Sequence, residues 1–222
     1  MANKVKELFN SWAGAERGER MAAGHDVLVE HILQLWKGDD IEALLDVGCG
    51  NGRALTLAKA IGAKHLIGVD LSDKMIETAK QNLPEAQFYN TPMQELHMLA
   101  DNSCSHIMSI EALYYLQQPI DGLKELSRVL MPDGKIAIAI DFYKESIGTH
   151  SWSAALGFEL SLLSADEWVA LFHEAGFKGV TASRIHRTEN IKTEEAFDPS
   201  PFFTSYAMYQ DYINAGALLL SN

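Results

Sequence analysis

The run Leu44-Leu45-Asp46-Val47-Gly48-Cys49-Gly50-Asn51-Gly52 constrains the fold more than any other part of the chain. An apolar stretch ends in a turn with glycines at alternating positions. A helical pattern of Ala54, Leu55, Leu57, Ala58 and Ile61 follows at once. A strand that feeds a glycine-rich turn and then a helix brings backbone N–H groups close to a nucleotide-like ligand. Glycine has no Cβ, so such a ligand can lie against the main chain.

Spacing narrows the choice of ligand. The dinucleotide fingerprint has glycines at its first, third and sixth positions. Counted from Gly48, the sixth position here is Arg53, so that pattern fails. After the helix, residues 64–70 read as a second strand ending in Asp70, 22 residues beyond Gly48. A carboxylate there can accept hydrogen bonds from ribose hydroxyls. Ser72 then reads as the N-cap of the next helix.

The alternating Gly48, Gly50 and Gly52 with Asp46 just ahead resemble the first motif of class I S-adenosylmethionine (SAM) dependent methyltransferases. Val69-Asp70-Leu71-Ser72 followed by Met75 is similar to the family's next motif. So are Ser109 to Leu116, leaving a fourth strand, and Leu126 to Lys135 around Pro132 and Gly134. Met131 and Asp133 depart from the family's usual Leu-Lys-Pro-Gly-Gly. The resemblance covers about residues 40 to 145.

The resemblance implies an α/β, doubly wound, mostly parallel, Rossmann-like sheet of seven strands. Its order would be 3-2-1-4-5-7-6, with strand 7 antiparallel. The ligand would cross the carboxyl ends of strands one and four, where the order reverses. SAM would be the cofactor and S-adenosylhomocysteine (SAH) the product. Gly48, Gly50 and Gly52, with Cys49 between them, would leave room for the methionine part. Asp46 would orient that turn or meet the ammonium group. Asp70 would take the ribose, and Leu71 and Met75 the adenine. Relatives commonly place an acid for the adenine amino group where this chain has Pro92, which leaves the Met93 N–H and the Gln94 amide to serve.

The implied activity is in-line transfer of a methyl group to a small-molecule acceptor. Rival readings are a SAM-binding protein without transferase activity, an NAD-type oxidoreductase and an aminopropyl transferase. Candidate bases are Glu111, His25, Asp141 and His150. Glu111 comes first, from its place after strand four, although it reads equally well as a positioning or helix-start charge. The two histidines read as well as surface or capping residues. Two segments are expected to build the acceptor pocket. The first, with Trp12, Arg17 and Met21, lies in an N-terminal helical segment, 1–38, that would act as a lid or else simply pack on the sheet. The second follows strand five, with Asp141, Tyr143 and Trp152, joined by Tyr114 and Tyr115. The turn from Asp198 to Phe203 is either a rigid connector or a cap on the pocket.

The length of 222 residues fits one domain. A net charge of −12 without a Lys/Arg cluster disfavours nucleic-acid partners. Two cysteines, Cys49 and Cys104, are too few for a disulfide framework, and no metal site is expected. No apolar run approaches 18 residues and the N-terminus lacks a signal-peptide core, so no membrane association and a cytoplasmic location are expected. Monomer and homodimer are both open. Periodicity predicts helices over 3–12, 19–36, 119–131, from 164 to near 176, and 202–214. It predicts strands over 43–47, 64–70, 85–89, 104–110, 135–141, 178–186 and 217–220.

Overall fold

The computed structural model of the protein describes residues 2–13, 24–189 and 191–222. Its first half alternates helix and strand: α1 (Ala2–Trp12), α2 (Asp26–Leu35), β1 (Ala43–Val47), α3 (Arg53–Ala60), β2 (His65–Asp70), α4 (Asp73–Asn82), β3 (Gln87–Asn90) and β4 (Cys104–Ile110). The second half comprises α5 (Pro119–Val129), β5 (Leu130–Ile140), α6 (Trp152–Leu156), α7 (Ala165–Glu174), β6 (Thr181–Ile185), α8 (Tyr206–Ala215) and β7 (Ala217–Ser221).

The seven strands form one sheet in the order β3-β2-β1-β4-β5-β7-β6, the expected order. β1 pairs parallel to both β2 and β4, so the chain's direction of travel across the sheet reverses there. β7 runs antiparallel between β5 and β6. Alternate strand residues serve opposite faces. Leu45, Val47, Ile107, Ile136 and Ile138 pack with Leu123 and Leu126 of α5 and Trp168 and Phe172 of α7. Leu44, Leu66, Met108 and Ala137 pack with Leu28 and Ile32 of α2, Leu55 of α3 and Ile76 of α4. Helices on both faces explain why β1 is buried at every position.

Local signals place several ends. Ser72 Oγ accepts from the Met75 N–H at 3.1 Å and caps α4. Ser164 and Glu167 form a reciprocal capping box on α7. Other ends move. α5 stops at Val129 because Pro132 disfavours helical backbone just before it. α8 begins only after Ser205, whose Oγ accepts from the Met208 N–H, so Phe202 and Phe203 belong to the preceding loop. β3 and β6 are shorter than expected. In the second predicted helix, only Asp26–Leu35 falls on a described helix, and Leu35, expected on its apolar stripe, is 49% exposed. No helix among the described residues is long and apolar enough to cross a membrane.

Candidate functional site

The glycine turn joins β1 to α3 at the carboxyl edge of the sheet. Gly48, Gly50 and Gly52 all have positive φ, at 78°, 51° and 80°. That is backbone a side chain resists. Gly48 is also required by contact, since a Cβ there would meet the Ala112 Cβ at 2.4 Å.

The expected amide cradle is not what the turn forms. The N–H groups of Gly48 and Cys49 donate to the Val69 carbonyl, at 2.8 and 3.0 Å. Gly50 N–H donates to Asp70 Oδ2 at 2.9 Å, and Gly52 N–H to the Cys49 carbonyl. These donors hold the turn against the end of β2 instead of facing a ligand. Asp70 is the clasp: its Oδ1 also accepts from the Ser72 N–H at 2.8 Å. Each carboxylate oxygen keeps a second lone pair for another donor.

Gly52 is a further correction. It occupies the N-cap of α3, close to Phe88 and Ala79, and does not line the cavity. Gly48, Cys49 and Gly50 do line it.

The cavity has a volume of about 1050 Å³ and runs over the ends of β1, β2, β4 and β5. Asp46, Asp70, Leu71, Met75, Pro92, Met93 and Gln94 lie at its inner end. Asp46 is 2% exposed, and its Oδ2 has no hydrogen-bond partner among the described residues. Burial, with Asp70 nearby, pushes its carboxyl up to about 7. Gln94 Oε1 is likewise buried and unpartnered. A buried acceptor left so costs roughly 1–3 kcal/mol until a donor arrives.

Glu111 lines the cavity just after β4 ends. It is one of two non-glycine residues with positive φ among those described, at 55°. Its N–H donates to the Ala139 carbonyl at 2.9 Å, so the strained backbone is held by β5. Its Oε1 accepts from the Asp141 N–H, and its Oε2 accepts from the Tyr114 hydroxyl at 2.8 Å. Burial, then the neighbouring Asp141, raises this carboxyl well above the usual range.

Asp141, which is 2% exposed, is held in turn from the far end of the chain. Arg187 donates to Oδ1 at 3.0 Å and to Oδ2 at 2.7 Å, and the Tyr212 hydroxyl donates to Oδ2 at 3.0 Å. His25 lines the same region, and burial lowers it to about 4, so it is neutral near pH 7.

The outer wall is aromatic. Val5, Phe9 and Trp12 of α1 line it, as do Tyr114, Tyr115 and Trp152. Ser200, Pro201, Phe202 and Phe203 of the expected connector or cap line the cavity too. The expected pocket residues Trp12, Tyr114, Tyr115, Asp141 and Trp152 are therefore brought together. Arg17 and Met21 lie outside the described residues.

Two candidates are placed elsewhere. Tyr143 is fully buried behind the wall, with its hydroxyl donating to the carbonyls of Ala215 and Gly216. His150 is exposed, its Nε2 lies 3.0 Å from the Lys144 carbonyl, and it does not line the cavity. The two follow β5 in sequence, but neither lines the cavity. Arg187 and Tyr212 carried no local motif. Only the fold brings them to Asp141.

Residues 45–138 match the family described as Methyltransferase domain. The chain is 25% identical over 193 residues to the O-methyltransferase rstn1 of Aspergillus nomiae, a match spanning 81% of this chain and 84% of that protein. Among solved structures, one of a complex between the Haloferax volcanii Trm112 methyltransferase activator and the putative methyltransferase superposes with a TM-score of 0.84. The identity is 25%, over 96% of each chain. Geranyl diphosphate C-methyltransferase from Streptomyces coelicolor, solved with SAH, shares the fold at a TM-score of 0.69 and 14% identity, over 89% of this chain and 78% of that one. Over residues 45–138 the chain is thus similar to a methyltransferase domain, and its seven-stranded sheet has the order that the resemblance to class I SAM-dependent methyltransferases implies.

Proposed function

We propose that the protein transfers a methyl group from SAM to a small-molecule acceptor. The observation that carries this reading is that one cavity joins the Asp46–Asp70 end to the aromatic chamber around Trp152. Donor and acceptor would therefore share one enclosure. The inner end suits the cofactor. Asp46 Oδ2 and Gln94 Oε1 are unpartnered acceptors, matching an ammonium group and an adenine amino group. Asp70, already fixed by Gly50 and Ser72, offers its remaining lone pairs to the ribose. Leu71 and Met75 supply apolar contact.

When bound, SAM supplies a methyl group already activated by its sulfonium. The protein has to align the acceptor and exclude water, and approximation of this kind contributes on the order of 7–11 kcal/mol. Glu111 is the group placed to take a proton from an acceptor that needs to lose one. Asp141 and His25 hold that region rather than act on the acceptor. The lid role falls to α1, seated on the start of α4 by Lys6 and Asn10 against Asp73.

The test is calorimetry with SAM and SAH, followed by transfer of labelled methyl to a panel of small acceptors. Heat with both ligands and label in one acceptor class supports the reading. Absence of heat with either, on folded protein, ends it.

A second reading concerns a protein partner. The Haloferax volcanii neighbour is a complex with a methyltransferase activator, and the match spans nearly all of both chains. On this reading the protein works with a small activator subunit. Co-expression with a Trm112-type protein, followed by gel filtration, tests it: one joint peak supports it and two separate peaks reject it.

A further inference from the structure

α1 forms one wall of the cavity. Its residues Val5, Phe9 and Trp12, spaced at helical intervals, line the cavity together with Asp70, Leu71 and Met75. Phe9 also packs edge-on against Tyr115 in the segment that follows β4, with ring centroids 5.2 Å apart. The proposed cofactor end is therefore covered by a helix that belongs to no strand–turn–helix unit of the sheet.

The polar edge of α1 fastens it to the first turn of α4. Lys6 and Asn10 lie one helical turn apart and share that edge. Asn10 Nδ2 donates to Asp73 Oδ1 at 3.0 Å, and Lys6 Nζ lies 2.9 Å from the same oxygen. Asn10 Oδ1 accepts from the Ser72 hydroxyl at 2.5 Å and from the Lys74 N–H at 3.4 Å. Ser72 is fully buried, and it is the residue whose N–H donates to Asp70 Oδ1. Asn10 thus grips the neighbour that positions the carboxylate assigned to the ribose. Asn10, Ser72 and Asp73 do not line the cavity, so these contacts set where α1 sits and touch no ligand there.

The fastening is also of a kind that can open. The Lys6 and Asp73 side chains are 37% and 48% exposed, and an ion pair so exposed holds weakly. The hydrogen bonds of Asn10 exchange readily with water. A methyltransferase must admit SAM and release SAH at every turnover, and the opening of such a cover often sets the pace.

We propose that α1 is a gate on the cofactor end of the cavity, latched shut by Asn10 as a positioning residue. This deepens the methyltransferase reading and rests on it. Cofactor entry and product release both wait on the parting of Asn10 from Ser72 and Asp73.

The test is surface plasmon resonance with SAH over the immobilised full-length protein and its variants. Asn10→Ala should release SAH about tenfold faster, the order expected for lost hydrogen bonds of this kind. Association should quicken as well. A lost ligand contact would raise the release rate alone, whereas an unlatched gate raises both. Asn10→Asp faces Asp73 with a second acid and should act like Asn10→Ala. Adding Asp73→Asn to it returns an amide opposite a carboxylate and should restore slow exchange. The melting temperature should change little across the series. Unchanged release in both single variants overturns the proposal. So does an unchanged association rate, or fast exchange that persists in the double variant. The Asn10→Asp series decides the matter even if Asn10→Ala does not fold. If the natural protein binds SAH and the variants exchange it at the natural rates, only the latch is wrong. If the natural protein does not bind SAH, the methyltransferase reading falls and the gate with it.

Discussion

Arg187 and Asp141 meet through two parallel hydrogen bonds, 3.0 and 2.7 Å long, although 46 positions separate them in the chain. The pair is nearly dry, with side-chain exposures of 11% and 3%. It ties the segment after β6 to the end of β5, and through the Asp141 N–H it reaches Glu111. Removing one partner of such a pair leaves the other buried and unpaired. Arg187→Met should therefore destabilise the protein by about 3–5 kcal/mol in urea unfolding at pH 7. A loss under 1 kcal/mol would mean that Asp141 is solvated more readily than its burial implies.

Asp70 has a double duty that separates two variants. Asp70→Ala removes the acceptor for the Gly50 and Ser72 N–H groups as well as the proposed ribose contact. SAH affinity should fall at least tenfold, or about 1.4 kcal/mol. Asp70→Asn keeps one acceptor oxygen and should fall between that variant and the natural protein. Calorimetry with all three proteins checks the order. An unchanged affinity in Asp70→Ala would remove Asp70 from the site.

Asp46 predicts a pH dependence. Its carboxyl lies at about 7 in the folded protein, above its ordinary value of 3.8. The folded state therefore binds the proton more tightly than the unfolded chain. The stability this gives is fully present below pH 4 and is lost as pH rises to about 7. Asp46→Asn should thus melt higher than the natural protein at pH 8, with the gap closing below pH 5. Binding of a cationic ligand to the ionised form has the opposite sign. SAM affinity should rise with pH up to about 7 and then level off. A flat affinity profile between pH 5.5 and 8 would contradict this.

Two glycines of one turn should respond unequally. Gly48→Ala meets both positive φ and the Ala112 Cβ at 2.4 Å, whereas a Cβ at Gly50 has nothing within 4 Å. Gly50→Ala should cost about 1–2 kcal/mol from backbone strain alone. Gly48→Ala should exceed it by roughly 1–3 kcal/mol, the usual penalty for overpacking. Chemical denaturation of the two variants measures the difference.

The sheet was legible because its signals are local. Continuously apolar strands, the glycine turn and the caps at Ser72 and Ser164 each announce themselves within a few residues. The resemblance supplied the strand order, which periodicity alone does not carry. The glycine spacing marked the right place but misled about its use. A turn rich in N–H groups reads as a ligand cradle until it is known that Val69 and Asp70 lie within reach to accept those protons. Tyr143 and His150 failed for a related reason. Position after β5 fixes where the loop begins, not which way it bends.

By itself, the chain's pattern of apolar residues, glycines and caps determined most strands and helices and the place of the glycine turn between β1 and α3. These depend on contacts within one strand–turn–helix unit or its neighbour. Only the tertiary structure decided what surrounds Asp141 and the aromatic side of the cavity. Arg187, Tyr212, Phe203 and α1 converge on it from the two ends of the sequence. Whether a carboxyl such as Asp141 is paired with a cation depends on distances through space that no spacing along the chain encodes.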